Sequence, residues 1–145
     1  MGYISTKGDS DMKKIIWMTI GEKAYPLRCT LGAWEKLYEI YGDAEGFAKA
    51  FQDSSTTYKA GLDALTMFVA QGCAYANFAE ADDPGFPAGG YTAPTREQLA
   101  TIFDLADYAE IIAKVNECIT ESRHTEINAK AAKGTKKKPA GEATN

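Results

Sequence analysis

Histidine is almost missing from this chain: His124 is the only one in 145 residues. Metal centres and catalytic triads need partners at set spacing, so one histidine between Arg123 and Thr125 reads as a solvated residue at a helix end. Cysteine is scarce as well. Cys29, Cys73 and Cys118 are far apart, odd in number and form no C-x-x-C pair, which argues for reduced thiols buried as small hydrophobes rather than a disulfide framework. No apolar run approaches the roughly 20 residues of a membrane span. The opening MGYISTKGDSDMKK has no hydrophobic signal core, so cytoplasmic residence is expected. Gly2 and Thr6 fit a myristoylation pattern, but no second anchor accompanies them.

Other catalytic and binding signatures fail on spacing. Glu80, Asp82 and Asp83 lack the alternation of a calcium loop and read as a solvated acidic loop. Gly85, Gly89 and Gly90 are followed by no Gly-Lys-Ser/Thr and so do not form a phosphate loop. Helix capping accounts for Asp104 and Asp107 without paired-carboxylate chemistry. The expectation is a protein that is not an enzyme, with no catalytic residues, cofactor or metal.

What is present is an ordinary globular composition, 45% hydrophobic and 25% charged, with an uneven charge. Residues 1–122 hold 10 Lys and Arg against 18 Asp and Glu, a net −8; residues 123–145 are +4. An acidic body argues against nucleic-acid binding, which needs concentrated positive charge. Residues 1–12 read as a flexible polar arm, 13–127 as one packed domain, and 128–145 as a disordered Lys-rich tail. Past Ile127 the tail has no apolar side chain larger than alanine apart from Pro139. Met12 is a second candidate start.

Strand signals occur only at the front. Ile16, Met18 and Ile20 alternate with Trp17 and Thr19; Gly21-Glu22-Lys23 supplies a turn; Tyr25, Leu27 and Cys29 repeat the period of two. Pro26 cannot donate to a ladder, so its strand lies at an edge or Pro26 faces away from its neighbour. Helices follow. Thr30 caps a first one carrying Leu31, Trp34, Leu37 or Tyr38, and Tyr41, stopped by Gly42. A short one spans Ala44 to Phe51. The longest, about Tyr58 to Ala79, bears Leu62, Leu65, Phe68, Val69, Cys73 and Ala76, with Gly61 and Gly72 allowing close approach. Residues 80–94 hold three prolines and three glycines and form a loop. Thr95 and Gln98 match a capping box before Leu99, Ile102 and Phe103. The last helix, to about Thr125, carries Tyr108, Ile111, Ile112, Val115, Cys118 and Ile119. The fold class is therefore α+β and mostly helical: an N-terminal β-hairpin packed on about four to five helices.

Aromatic residues crowd the first third: Trp17, Tyr25, Trp34, Tyr38, Tyr41, Phe47 and Phe51. They either form the core between hairpin and helices or line an exposed groove for a partner.

The segment MTIGEKAYPLRCTLGAWEKLYEIYG, residues 18–42, resembles the small tail assembly chaperones of long-tailed bacteriophages and prophages, in their short, non-frameshifted form. The later order of a long alanine-rich helix, a loop, a short helix and a terminal helix, here TREQLATIFDLADYAEIIAKV, is similar too. The resemblance implies a protein of the bacterial host cytoplasm that binds and solubilises the tape-measure protein during tail assembly. It also implies a longer form made by programmed frameshifting, with Lys136, Lys137 and Lys138 as the region an adenine-rich slippery tract would encode. Trp17, Tyr25, Leu27, Trp34 and Tyr38 are the residues expected to line the partner surface. A homo-oligomer is compatible with this reading; nucleic acid and membrane are not expected partners. The alternative is a structural virion protein, a tail-completion or connector subunit.

Overall fold

A computed structural model describes residues 15–134, with side chains to residue 123. The expected arm 1–12, the Lys136–Lys138 run and the side chain of His124 lie outside the described residues. The chain is mostly helical behind an antiparallel hairpin of β1 (Ile16–Ile20) and β2 (Lys23–Leu27). There follow α1 (Leu31–Tyr41), α2 (Ala44–Gln52), α3 (Thr57–Ala79), α4 (Arg96–Ile102), a single 3-10 turn (Leu105–Asp107) and α5 (Tyr108–Gly134). Residues Ile15–Cys118 form one compact unit, and the described continuation of α5 belongs to a second.

The period of two reads out directly in β1. Ile16, Met18 and Ile20 are buried, while Trp17 and Thr19 face solvent. Gly21, at φ 68°, lets the chain reverse in a conformation that side chains resist. The register sets Ile16 opposite Leu27, Trp17 opposite Pro26 and Met18 opposite Tyr25. Both roles open to Pro26 are met: β2 is an edge of the two-stranded sheet, and Pro26 faces away from β1. Its carbonyl turns away from β1 toward α3, and both Pro26 and Leu27 are buried.

α3 is the helix on which the unit is built, with Leu65, Phe68, Val69 and Cys73 buried along it. At Gly72 the backbone of β2 lies on the helix: an added Cβ would strike the Pro26 carbonyl and sit 2.7 Å from the Leu27 Cα. One turn earlier the Phe68 carbonyl accepts a hydrogen bond from the Arg28 N–H at 3.0 Å. Gly61 serves a second close approach, facing the Tyr108 hydroxyl. That hydroxyl also contacts the Thr57 hydroxyl at 2.6 Å, and the Tyr108 ring meets Tyr58 edge-on.

Local chemistry fixes the helix ends. The Thr30 hydroxyl accepts from the Ala33 N–H at 3.2 Å, and the Asp43 carboxylate accepts from Gly46 at 2.7 Å. Gly42, at φ 91°, ends α1. Thr95 and Gln98 form the expected capping box, at 3.1 and 2.9 Å. Asp107 accepts from the Asp104 N–H at 2.8 Å, as a capping role requires.

Three expectations need correction. Leu31 is not part of the buried stripe of α1; it is 89% exposed, and Ala33 with Leu37 makes the inward face. The inward face is centred on Ala33 and Leu37, so the stripe drawn through Leu31 and Tyr38 lies rotated away from the core. The last helix passes Thr125 and runs to Gly134, so residues 128–134 of the expected tail are helical. Alanine and lysine there are good helix formers, and no breaker precedes Gly134. Finally, the hairpin turn is Gly21-Glu22, with Lys23 already in β2.

Gly72→Ala should destabilise the unit by about 1–3 kcal/mol, as overpacking against unyielding backbone does. Gly61→Ala should cost less, because it meets a side-chain end that can shift. Urea unfolding of the two variants checks the order.

Candidate partner-binding surface

The five residues expected at a partner surface separate into distinct places. Leu27 does not belong to it: the side chain is fully buried, because it lies on the inner hairpin face opposite Ile16 and against α3. Trp17 projects from the other face, 43% exposed, with its ring 6.3 Å from Tyr91. Tyr25, opposite Met18, is half-buried and lies under the Lys23 ammonium. Trp34 and Tyr38 are brought together on α1, ring centroids 5.8 Å apart.

The aromatic crowd divides between the core and the surface. Phe47 is buried at the centre, edge-on to Trp34 at 5.8 Å and to Tyr41 at 5.5 Å, and stacked with Phe51 at 5.5 Å. Tyr38, 42% exposed, is the outer member of this chain of rings. Leu31 lies seven residues before Tyr38 and therefore on the same face of the helix. The outward row is Leu31, Trp34 and Tyr38, rooted in the core through Trp34. Glu35 and Glu39, both exposed, border it on one side. Leu31 was missed as an outward residue because helical spacing alone does not say which of two apolar rows faces in.

No family model, curated protein or solved structure matches this chain. The site is therefore read from its own chemistry.

One polar cluster lies inside the fold. Asp63, in the apolar run of α3, is 3% exposed. Its carboxylate accepts hydrogen bonds from the Tyr41 hydroxyl at 2.7 Å, the Lys59 ammonium at 2.9 Å and the Arg96 guanidinium at 2.5 Å. It thereby ties α3 to the end of α1 and the start of α4. Burial alone would raise its pKa, but the donors from Lys59, Tyr41 and Arg96 outweigh burial and hold it below the ordinary value. Tyr41 is pushed up by burial and by its bond to Asp63; Lys59 is raised chiefly by Asp63. The i,i+4 spacing of Lys59 and Asp63 was a usable signal for this pair.

Residues 80–94 are a loop, and α3 holds it in place. The Asn77 side chain accepts from the Tyr91 N–H at 2.9 Å and donates to the Tyr91 carbonyl at 3.0 Å. The Phe86 ring stands edge-on to Tyr91 at 5.7 Å. The hollow beside this loop, about 540 Å³, is walled by Phe86–Gly90 with Asn77 and Ala81. A smaller apolar cleft of 170 Å³ lies between Leu62, Phe103, Leu105 and Ile111. That is below the few hundred Å³ that hold a typical small ligand. All three cysteines are buried. Burial pushes the Cys73 thiol up to about 11 and Cys118 up to about 12, far from reactive thiolate. Among the described residues no His, Cys, Asp and Glu gather in a group able to hold a metal ion, and no helix is long and apolar enough to cross a membrane.

Asp63→Asn should lower stability at neutral pH by about 1–3 kcal/mol, since it weakens three buried bonds while Arg96 and Lys59 can still turn to water. The folded carboxyl is held below its ordinary 3.8. Its contribution is therefore complete above that value and lost as pH falls through the lower, folded value. Urea midpoints measured downward from neutral should show the parent chain and the variant converging below about pH 4.

Proposed function

We propose that this chain is a tail assembly chaperone of a long-tailed bacteriophage or prophage, a non-enzymatic protein of the host cytoplasm that binds and solubilises the tape-measure protein before the tail tube forms around it. The observation that carries the reading is the outward row Leu31–Trp34–Tyr38, an apolar helix face without a covering element among the described residues. A single exposed leucine is unremarkable; a row rooted by an aromatic ring and bordered by acidic residues is a contact surface of the kind aromatic anchors make. A long helical tape measure awaiting assembly would expose apolar seams, and an acidic carrier with such a row shields them. The resemblance of residues 18–42 supplies the partner's identity. A longer frameshifted form, diverging at Lys136–Lys138, is the second partner in this proposal.

The direct test is co-expression with the tape-measure protein. The parent chain should keep it in the soluble fraction, and Leu31→Glu with Tyr38→Glu should lose that activity. Both positions are surface sites, so the circular dichroism should be unchanged and the unfolding free energy should stay within about 0.5 kcal/mol of the parent. An equally active double variant would overturn the row as the contact, and an inactive parent would overturn the function.

Expression with the native downstream sequence provides a second check by intact mass. A minor longer species departing from this sequence at Lys136–Lys138 is expected. Recovery of the chain in purified virions would instead favour a structural subunit.

A further inference from the structure

The hairpin leaves one edge open. Facing residues of an antiparallel ladder alternate between pairs that exchange N–H···O bonds and pairs that do not. Pro26 has no N–H and turns its carbonyl toward Gly72, and the Arg28 N–H, two residues on, donates to the Phe68 carbonyl. At the Pro26 end of β2 the outward backbone groups thus face α3. By the same parity, Trp17 opposite Pro26 and Thr19 opposite Ala24 are non-exchanging pairs. Their N–H and C=O groups point out from the far edge of β1. Both residues are exposed, and among the described residues no backbone hydrogen bond reaches them from another element.

Natural edges are usually guarded by a charge, a proline, a bulge or a cover. β1 reads Ile-Trp-Met-Thr-Ile, with none of the first two and an unbroken register. The strand is also self-complementary about its centre, with isoleucine at both ends and methionine in the middle. Its flanks carry opposite charge: Lys13-Lys14 precedes it and Glu22 follows. Glu22 is exposed and makes no ion pair among the described residues, while Lys23 beside it is engaged over the Tyr25 ring.

We propose that β1 pairs antiparallel with β1 of a second copy about a two-fold axis at Met18, joining two hairpins into a four-stranded sheet. Trp17 of one copy then faces Thr19 of the other, exchanging both backbone bonds, and Ile16 faces Ile20. The two-fold brings Ile16 at the start of each strand alongside Ile20 of its mate, next to the mate's Gly21-Glu22 turn. Three or more strands with an apolar face give the independent stability that an isolated hairpin lacks. A five-residue edge buries less than the roughly 1,200 Å² of a standard interface, so the association is concentration-dependent. This inference does not rest on the chaperone reading, because it uses a different surface.

Sedimentation equilibrium of the full chain, from low micromolar to near-millimolar concentration, tests it. The mass should climb from 15.7 kDa toward twice that value. Thr19→Pro removes an outward N–H and should weaken the dimer at least about tenfold, some 1.4 kcal/mol, with unchanged circular dichroism. Cross-linking keeps the proposal exposed should that variant fail to fold. A mixture of Trp17→Cys and Thr19→Cys chains should oxidise to a mixed dimer, while neither alone does so. A mass fixed at that of one chain at every concentration, a folded Thr19→Pro chain that dimerises as tightly as the parent, or Trp17→Cys cross-linking to itself would each overturn it.

Discussion

The contact between the β2 backbone and α3 at Gly72 is the constraint on which the rest depends. Two strands alone are marginal in water, and this pair persists because one of them lies directly on a helix. That approach is possible only where the helix has no side chain. It directs the Pro26 carbonyl and the Arg28 N–H at α3, gives the latter the Phe68 carbonyl as its partner, and delivers Leu27 into the core. A proline that would weaken an inner strand is harmless here, because the hydrogen bond it cannot make points toward a helix.

Asp63 complements that contact at the other end of α3. In a helix otherwise packed with alanine, leucine, phenylalanine and valine, a buried carboxylate is costly unless it is paired and hydrogen-bonded. Tyr41, Lys59 and Arg96 supply three donors to both of its oxygens. A buried ionic cluster adds little net stability over an apolar replacement, but it punishes misplacement of its members. Its effect is to set where α1 ends and where α4 begins. The loop between α3 and α4 is then closed by Asn77 holding Tyr91.

With those anchors in place, α1 has two apolar faces and can bury only one. Ala33 and Leu37 go inward; Leu31, Trp34 and Tyr38 remain outside or at the rim. The partner reading follows from that surplus. The ring chain from Phe47 through Trp34 to Tyr38 gives the outer row a rigid base, which lowers the entropy lost when something docks on it.

Local rules on their own determined much of this protein. Alternation in residues 16–20, glycine at 21 and 42, the hydroxyl of Thr30 and the Thr95–Gln98 box act within a few residues, so the sequence carries them in full. Gly61 and Gly72 were legible as sites of close approach, though not what would approach. Tertiary structure decided the rest. It buried Leu27, exposed Leu31, paired Asp63 with residues from two other helices and turned Pro26 toward α3. Each of these depends on which face of an element meets a neighbour distant in sequence, and periodicity fixes a face without fixing its direction. The end of α5 was misread for a related reason: a polar, alanine-rich stretch has helical propensity without an apolar stripe, and propensity rather than pattern carries the helix to Gly134.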